Sequence, residues 1–180
     1  MEVKKNKIGM VVGRMSPPNK GHQQLIDACL NLGCEKVLVI LGNCDEINYK
    51  NPFSFQLREQ MLKSIYGNKI ECLPLYNNKI KEYMKPYVFG EYLFNMCYKK
   101  NNQYPDVYTY GFEEIRKCWF DDNTIKDTIM IQIPRSTFEY TGTEGREDLL
   151  NNNKSKWKEF HDVKIHKYYE KLRENILKNV

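Results

Sequence analysis

Directly after the apolar run IGMVV at 8–12, the chain reads GRMSPPNKGHQQ over residues 13–24. Ten positions hold Arg14, the neutral donor Asn19 and the ionisable His22, with a turn stiffened by Pro17-Pro18 between them. Gly21 lets backbone come close to a ligand, and a helix opening at Lys20 to His22 adds unpaired N–H groups and the positive end of its dipole. Together these suit phosphate, and Arg14 and His22 at one helix start suit a nucleoside triphosphate. Further along, TGTEGR at 141–146 opens another helix, with Thr141 or Thr143 as its cap and Arg146 in its first turn. Taken alone, Pro17-Pro18-Asn19 reads as a tight turn and His22 as an ordinary first-turn residue; the phosphate reading gains its weight from the other segments.

Groups so far apart in sequence need a scaffold to bring them together. Five short apolar runs, rich in β-branched residues, read as strands: IGMVV (8–12), KVLVILG (36–42), KIECLPL (69–75), VYTYG (107–111) and TIMIQIP (128–134). Their near-continuous hydrophobicity predicts strands buried on both faces. Helical patterns lie between them: GHQQLIDACLNLG with Gly33 at its C-terminus, SFQLREQMLKSIYG ending at Gly67, and the aromatic KPYVFGEYLFNMCYKK. Strand–helix alternation predicts an α/β fold with a parallel sheet and right-handed crossovers; the form expected is a Rossmann-like doubly wound five-stranded sheet in the order 3-2-1-4-5. Ligands of such sheets gather beyond the carboxyl ends of the strands, where the loop after the first strand lies. From 155 to 180 the pattern becomes a charged amphipathic helical tail, with NNNKS before it as a hinge or helix start.

Totals narrow the class. At 180 residues the chain is expected to be one domain with a C-terminal extension, burying about 70% of the surface of its unfolded chain. The net charge of +5 favours anionic ligands, but Lys and Arg are scattered, which speaks against nucleic acid as a partner. The six cysteines, at 29, 34, 44, 72, 97 and 118, form no CxxC and no zinc spacing, and read as reduced, buried small hydrophobes. Behind the charged MEVKKNK stands no secretory apolar stretch, and no run approaches the ~20 residues of a membrane span. No membrane partner is expected, and the expected location is cytoplasmic. His161 and His166, five apart, give no one-face metal spacing and read as surface residues; Trp119 and Trp157 read as packing or interface residues.

GRMSPPNKGH, KNPFSFQLR at 50–58, VYTYGFEEIRKCWF and TGTEGR, in this order, resemble the HxGH/TxGH nucleotidyltransferases, and among them the archaeal-type nicotinamide-nucleotide adenylyltransferases. The resemblance covers roughly residues 8–150 and makes 1–154 the nucleotidyltransferase domain, with 155–180 its helical extension. One departure is Asn19, which stands where the family's first signature histidine would be. The resemblance implies transfer of AMP from ATP to nicotinamide mononucleotide, giving NAD and pyrophosphate. His22, Arg146 and Asn19 would be the catalytic groups, and Gly13, Arg14, Met15, Gly21, Gly111, Thr141 and Thr143 the ATP and phosphate side. Asn51, Arg58, Asn78 and either Tyr83 or Tyr87 would serve the mononucleotide, the tyrosine as a platform for the flat cationic ring. Mg2+ would arrive with ATP, with no metal site on the protein. Arg58 has a plainer reading as half of a solvated ion pair with Glu59, and Tyr83 and Tyr87 as core. Two other functions fit the same segments: an adenylyl- or cytidylyltransferase for another phosphorylated acceptor, and a non-catalytic ATP or NAD sensor. Relatives are often oligomers, so the tail is expected to pack either on its own domain or on a second copy.

Overall fold

The computed structural model describes residues 6–76, 86–111 and 119–179. Five parallel strands form one sheet in the order β3-β2-β1-β4-β5, the expected order: β1 (Ile8–Gly13), β2 (Lys36–Leu41), β3 (Ile70–Pro74), β4 (Val107–Gly111) and β5 (Ile129–Ile133). The helices are α1 (Lys20–Asn31), α2 (Phe55–Tyr66), α3 (Pro86–Asn101), the single turn α4 (Asp122–Ile125), α5 (Gly142–Leu150), α6 (Lys154–Phe160) and α7 (Tyr169–Leu177). β1 is central, with β2 on one side and β4 on the other, so the chain reverses its direction of travel across the sheet at this pair. A crevice opens at the carboxyl ends of the strands there.

Alternate residues of the central strands feed two cores, as the period of two requires. Met10, Leu38, Ile40 and Tyr108 face Leu93, Phe94 and Phe120 on one side. Val11, Val39 and Leu41 face Ile26, Cys29 and Leu62 on the other. The expectation of strands buried on both faces holds for β1, β2 and most of β4. It fails for β5, where Ile129 keeps 49% of its surface exposed, because β5 is the edge of the sheet. Gly33 sits at φ +82°, the left-handed turn that ends α1, and Gly9 leaves room for the Cys29 side chain to lie against β1. Cys29, Cys34, Cys72 and Cys97 are buried free thiols and Cys44 is half-buried; Cys118 lies outside the described residues.

The tail is not one helix. His161 leaves helical backbone (φ −122°, ψ 150°), Asp162 caps a 3-10 segment over Val163–Tyr168, and α7 follows. Trp157, Ile165, Tyr169, Leu172 and Ile176 build a third core with Phe53, Leu57 and Met61 of the α2 region and Leu149 of α5. No helix of the described residues is long and apolar enough to cross a membrane.

Candidate active site

Two helix ends and two loops frame the crevice. α1 begins with Asn19 as N-cap: its Oδ1 accepts the His22 N–H at 3.1 Å, and His22 Nδ1 accepts the Asn19 N–H at 3.1 Å, a reciprocal capping box. Because Nδ1 is an acceptor, the neutral imidazole carries its proton on Nε2, which is left to donate to a ligand. Burial, and then the nearby Arg14 charge, lower the His22 pKa to about 4, so the free protein holds a neutral ring. His22 as a whole residue is half-buried, and it lines the cleft. The Thr109 hydroxyl donates to Leu25 O at 2.8 Å and fixes α1 against β4.

α5 begins with a second capping box, here Thr141 with Glu144, and Thr141 rather than Thr143 is the cap. Thr143 Oγ1 instead accepts from Arg146 Nη2 at 3.1 Å. Arg146, one turn into α5 and 8% exposed, also donates through Nη1 to Ser16 O at 2.9 Å, across 130 residues of sequence. Burial and the positive charge of Arg14 both lower its pKa. Arg14 itself is exposed, its stem near Gly42 at the end of β2.

These groups share one cleft of about 350 Å³, within the ~300–1,000 Å³ of small-molecule sites. Gly13, Arg14, Met15, Asn19, Gly21, His22, Gly111, Thr141, Thr143 and Arg146, expected together from sequence, all line it. Among the described residues nothing stands within 4 Å of where a Cβ on Gly111 would lie, at the end of β4. Gly21 has a further reason beside the one expected: a Cβ there would collide with the Phe138 ring. A larger depression of about 560 Å³ lies at the amino ends of β4 and β5, lined among others by Asp106, Asp121 and Asp127. It is the wrong end of the sheet and the wrong sign for an anion.

Of the residues expected on the mononucleotide side, the described Asn51, Arg58 and Tyr87 do not join the cleft lining. Asn51 is buried and its amide donates to the carbonyls of Asn43 and Glu46, so it braces the loop after β2. Arg58 is 0% exposed, and Glu59, its expected ion-pair partner, is instead bridged to Lys63 at 2.8 Å. Tyr87 stands exposed on α3; Asn78 and Tyr83 lie outside the described residues.

Sequence reading missed the wall of the cleft. Phe138 and Tyr140 line it, and Tyr140 stacks on Phe160 with centroids 4.2 Å apart, while its hydroxyl donates to Asp148 at 2.6 Å. Tyr140 O accepts from Asn19 Nδ2 at 3.1 Å, and Lys20 Nζ reaches Glu159 O at 2.6 Å, so the tail is fastened to the start of α1. His161, expected on the surface, is 1% exposed: its ring stacks on Trp157 at 4.0 Å, and burial lowers its pKa to about 3. The spacing of Trp157 and His161, four apart, was the available signal.

Among the described residues the cleft lining contains no carboxylate, and no three of His, Cys, Asp and Glu gather as a metal site. The described lining gives a divalent metal no carboxylate to bind. It fits a polyanion, which would find two arginines, an imidazole N–H and the N-terminus of α1 on one surface.

A Rossmann-like sheet with an anion crevice at its switch point is thus the class of the molecule. Solved structures share the fold. A bifunctional NMN adenylyltransferase/ADP ribose pyrophosphatase from Francisella tularensis superposes with a TM-score of 0.70 at 22% identity, over 97% of this chain and 52% of that one. The same description complexed with AMP and a manganese ion gives 0.67 at 22%, over 96% and 52%. Plasmodium falciparum nicotinic acid mononucleotide adenylyltransferase complexed with NaAD gives 0.57 at 16%, over 91% and 98%. The chain spans about half the length of the Francisella protein. At such identities these likenesses establish the fold. No family model matches the chain. No curated protein matches it.

Proposed function

We propose that the chain is an adenylyltransferase that moves AMP from ATP to nicotinamide mononucleotide, giving NAD and pyrophosphate. The observation that carries this reading is the meeting of Arg14, His22 and Arg146 in one cleft at the switch point of the sheet. An oxygen of the acceptor's 5′-phosphate attacks the α-phosphorus of ATP. The bond from that phosphorus to the bridging oxygen of the β-phosphate breaks, and pyrophosphate leaves with the electron pair. The acceptor is already mostly dianionic at pH 7, its second pKa being ~6, so no general base is needed. What the site must supply is alignment of two mutually repelling anions and donors for charge growing on the leaving group.

His22 Nε2–H, the α1 N-terminus and the two guanidinium groups are those donors; Gly13, Met15, Gly21, Gly111, Thr141 and Thr143 shape the nucleotide's bed. Mg2+ enters with ATP and shields its phosphates. Asn51, Asn78 and Tyr83 or Tyr87 are assigned to the mononucleotide by the sequence resemblance. Among the proteins that share the fold are an NMN adenylyltransferase and a nicotinic acid mononucleotide adenylyltransferase, which supports a pyridine mononucleotide as the acceptor.

Asn19 supports a second reading, a nucleotide sensor. Its Oδ1 caps α1 and one Nδ2 hydrogen bonds Tyr140 O, which leaves a single N–H for a ligand where a histidine would bring charge. Pyrophosphate release with ATP and Mg2+ across a panel of phosphorylated acceptors separates the readings. Release with nicotinamide mononucleotide is expected. Release with a different acceptor alone would reassign the substrate, and tight ATP binding with no release for any acceptor would favour the sensor.

A further inference from the structure

Arg58 is the most deeply buried cation among the described residues, and it has no carboxylate partner among its hydrogen bonds. Nη1 donates to Arg14 O and Gly42 O, both at 2.7 Å. Nη2 donates to Asn43 O at 3.4 Å and Cys44 Sγ at 3.2 Å, and Nε to Ser54 O at 3.4 Å. A guanidinium has five N–H donors. All five are matched, each by an acceptor of the protein itself, so none is left for a substrate phosphate.

The acceptors belong to two loops. Arg14 O lies in the loop after β1 and Gly42 O, Asn43 O and Cys44 in the loop after β2, the two strands that pair at the centre of the sheet. Each loop contains a non-glycine residue in the left-handed region: Met15 at φ 47° and Asn43 at φ 55°. Such backbone persists where its surroundings hold it. Arg58 bonds the carbonyl just before Met15 and that of Asn43 itself, and Gly42 N–H adds a bond to Gly13 O at 3.0 Å. Arg58 is therefore the common fastening of both strained turns, and the side chain presented by one of them is Arg14.

We infer that Arg58 is a positioning residue: its guanidinium ties the loops after β1 and β2 together and so holds Arg14 at the anion cleft, without touching either substrate itself. This rests on the proposed adenylyl transfer for its kinetic consequences only. Burial lowers the Arg58 pKa, which accords with a cation surrounded by neutral acceptors.

The test compares Arg58→Lys, which keeps charge but has three donors, with Arg14→Ala and the double variant. ATP affinity is read by calorimetry, kcat and KM by pyrophosphate release, and loop order by hydrogen exchange at the Gly42 amide and at residues 14–16. Arg58→Lys is expected to speed exchange in both loops, to weaken ATP binding roughly tenfold, and to lower kcat by up to about a hundredfold, the cost of misplacing a group by about 1 Å. In the Arg14→Ala background it is expected to cost little more, because the two act through one side chain. Unchanged exchange with a rise in KM for the mononucleotide alone would overturn the inference and make Arg58 a direct ligand. Additive losses in the double variant would overturn it as well. If Arg58→Lys fails to fold, Arg58→Gln is read by the same exchange experiment. Exchange and ATP binding need no turnover, so a wild-type protein with no transferase activity removes the proposed reaction while the clamp is still decided by them.

Discussion

Helices α1 and α5 open with the same device and opposite electrostatics. In each, the N-cap side chain accepts from the N3 amide and the N3 side chain accepts from the N-cap amide. In α5 the N3 residue is Glu144, whose Oε2 takes the Thr141 N–H at 2.7 Å and the Thr141 hydroxyl at 2.8 Å, placing a carboxylate at that helix end. In α1 the N3 residue is His22, neutral when the cleft is free, and no acidic residue stands in the first turn. One helix start carries its own anion; the other is left to meet a foreign one. The lesson is that a capping box can be built to stabilise a helix or to keep its dipole available, and the choice lies in one residue. α5 then contributes to the cleft through Arg146 rather than through its backbone end.

Exchanging the two devices is the strongest way to break this contrast. His22→Glu preserves an acceptor for the Asn19 N–H, so the fold by circular dichroism is expected to be unchanged. It places a carboxylate against the phosphates, and turnover is expected to fall at least a hundredfold, with ATP binding weakened in parallel. His22→Ala, which removes the donor without adding charge, is expected to lower kcat on the order of a hundredfold to a thousandfold at unchanged secondary structure. A His22→Ala enzyme as active as wild type would remove His22 from the chemistry.

Arg146→Ala should cost on the order of a hundredfold in kcat, and also some stability, because it releases Ser16 O and Thr143 from their bonds. Initial rates and urea unfolding measure the two separately. If rate and stability fall while ATP binding stays intact, Arg146 acts on the transition state more than on the bound nucleotide.

A smaller effect concerns pH. His22 and His161 titrate near 4 and 3 in the folded protein, against 6.5 in an unfolded chain. The unfolded state therefore binds these two protons first on acidification. Their contribution to stability is complete above about 6.5 and is lost as pH falls through 6.5 toward 4 and 3. The urea midpoint is expected to drop steadily between pH 7 and 5, and His161→Gln should flatten that slope. A midpoint unchanged over this range would mean that the two rings are not held neutral. The smallest change expected is from Glu144→Gln, which keeps the cap and removes its charge. It should cost about 0.3–1 kcal/mol in stability and leave turnover nearly unaltered.

Much of the scaffold was legible because it depends on local pattern. Strand positions followed from apolar runs, the parallel sheet from strand–helix alternation, and the α5 start from its capping threonine. The cleft's cationic members were legible because phosphate chemistry demands their types near helix starts. What escaped depends on contacts between distant segments. Nothing near Arg58 in sequence announces that its acceptors are carbonyls of residues 14, 42 and 43; beside Glu59 it looks like a surface pair. Nothing in the sequence tells that Gly21 also makes room for Phe138, more than a hundred residues on. The charged letters around His161 predict exposure, yet the break after α6 turns its ring under Trp157.

The meeting of Arg14, His22 and Arg146 on one polyphosphate is tested most directly by a crystal structure of the protein grown with ATP and Mg2+. The triphosphate is expected at the α1 N-terminus, with His22 Nε2 and both guanidinium groups within hydrogen-bond distance of its oxygens. A nucleotide bound instead in the depression beside Asp106 and Tyr104, with nothing in the cleft, would contradict it.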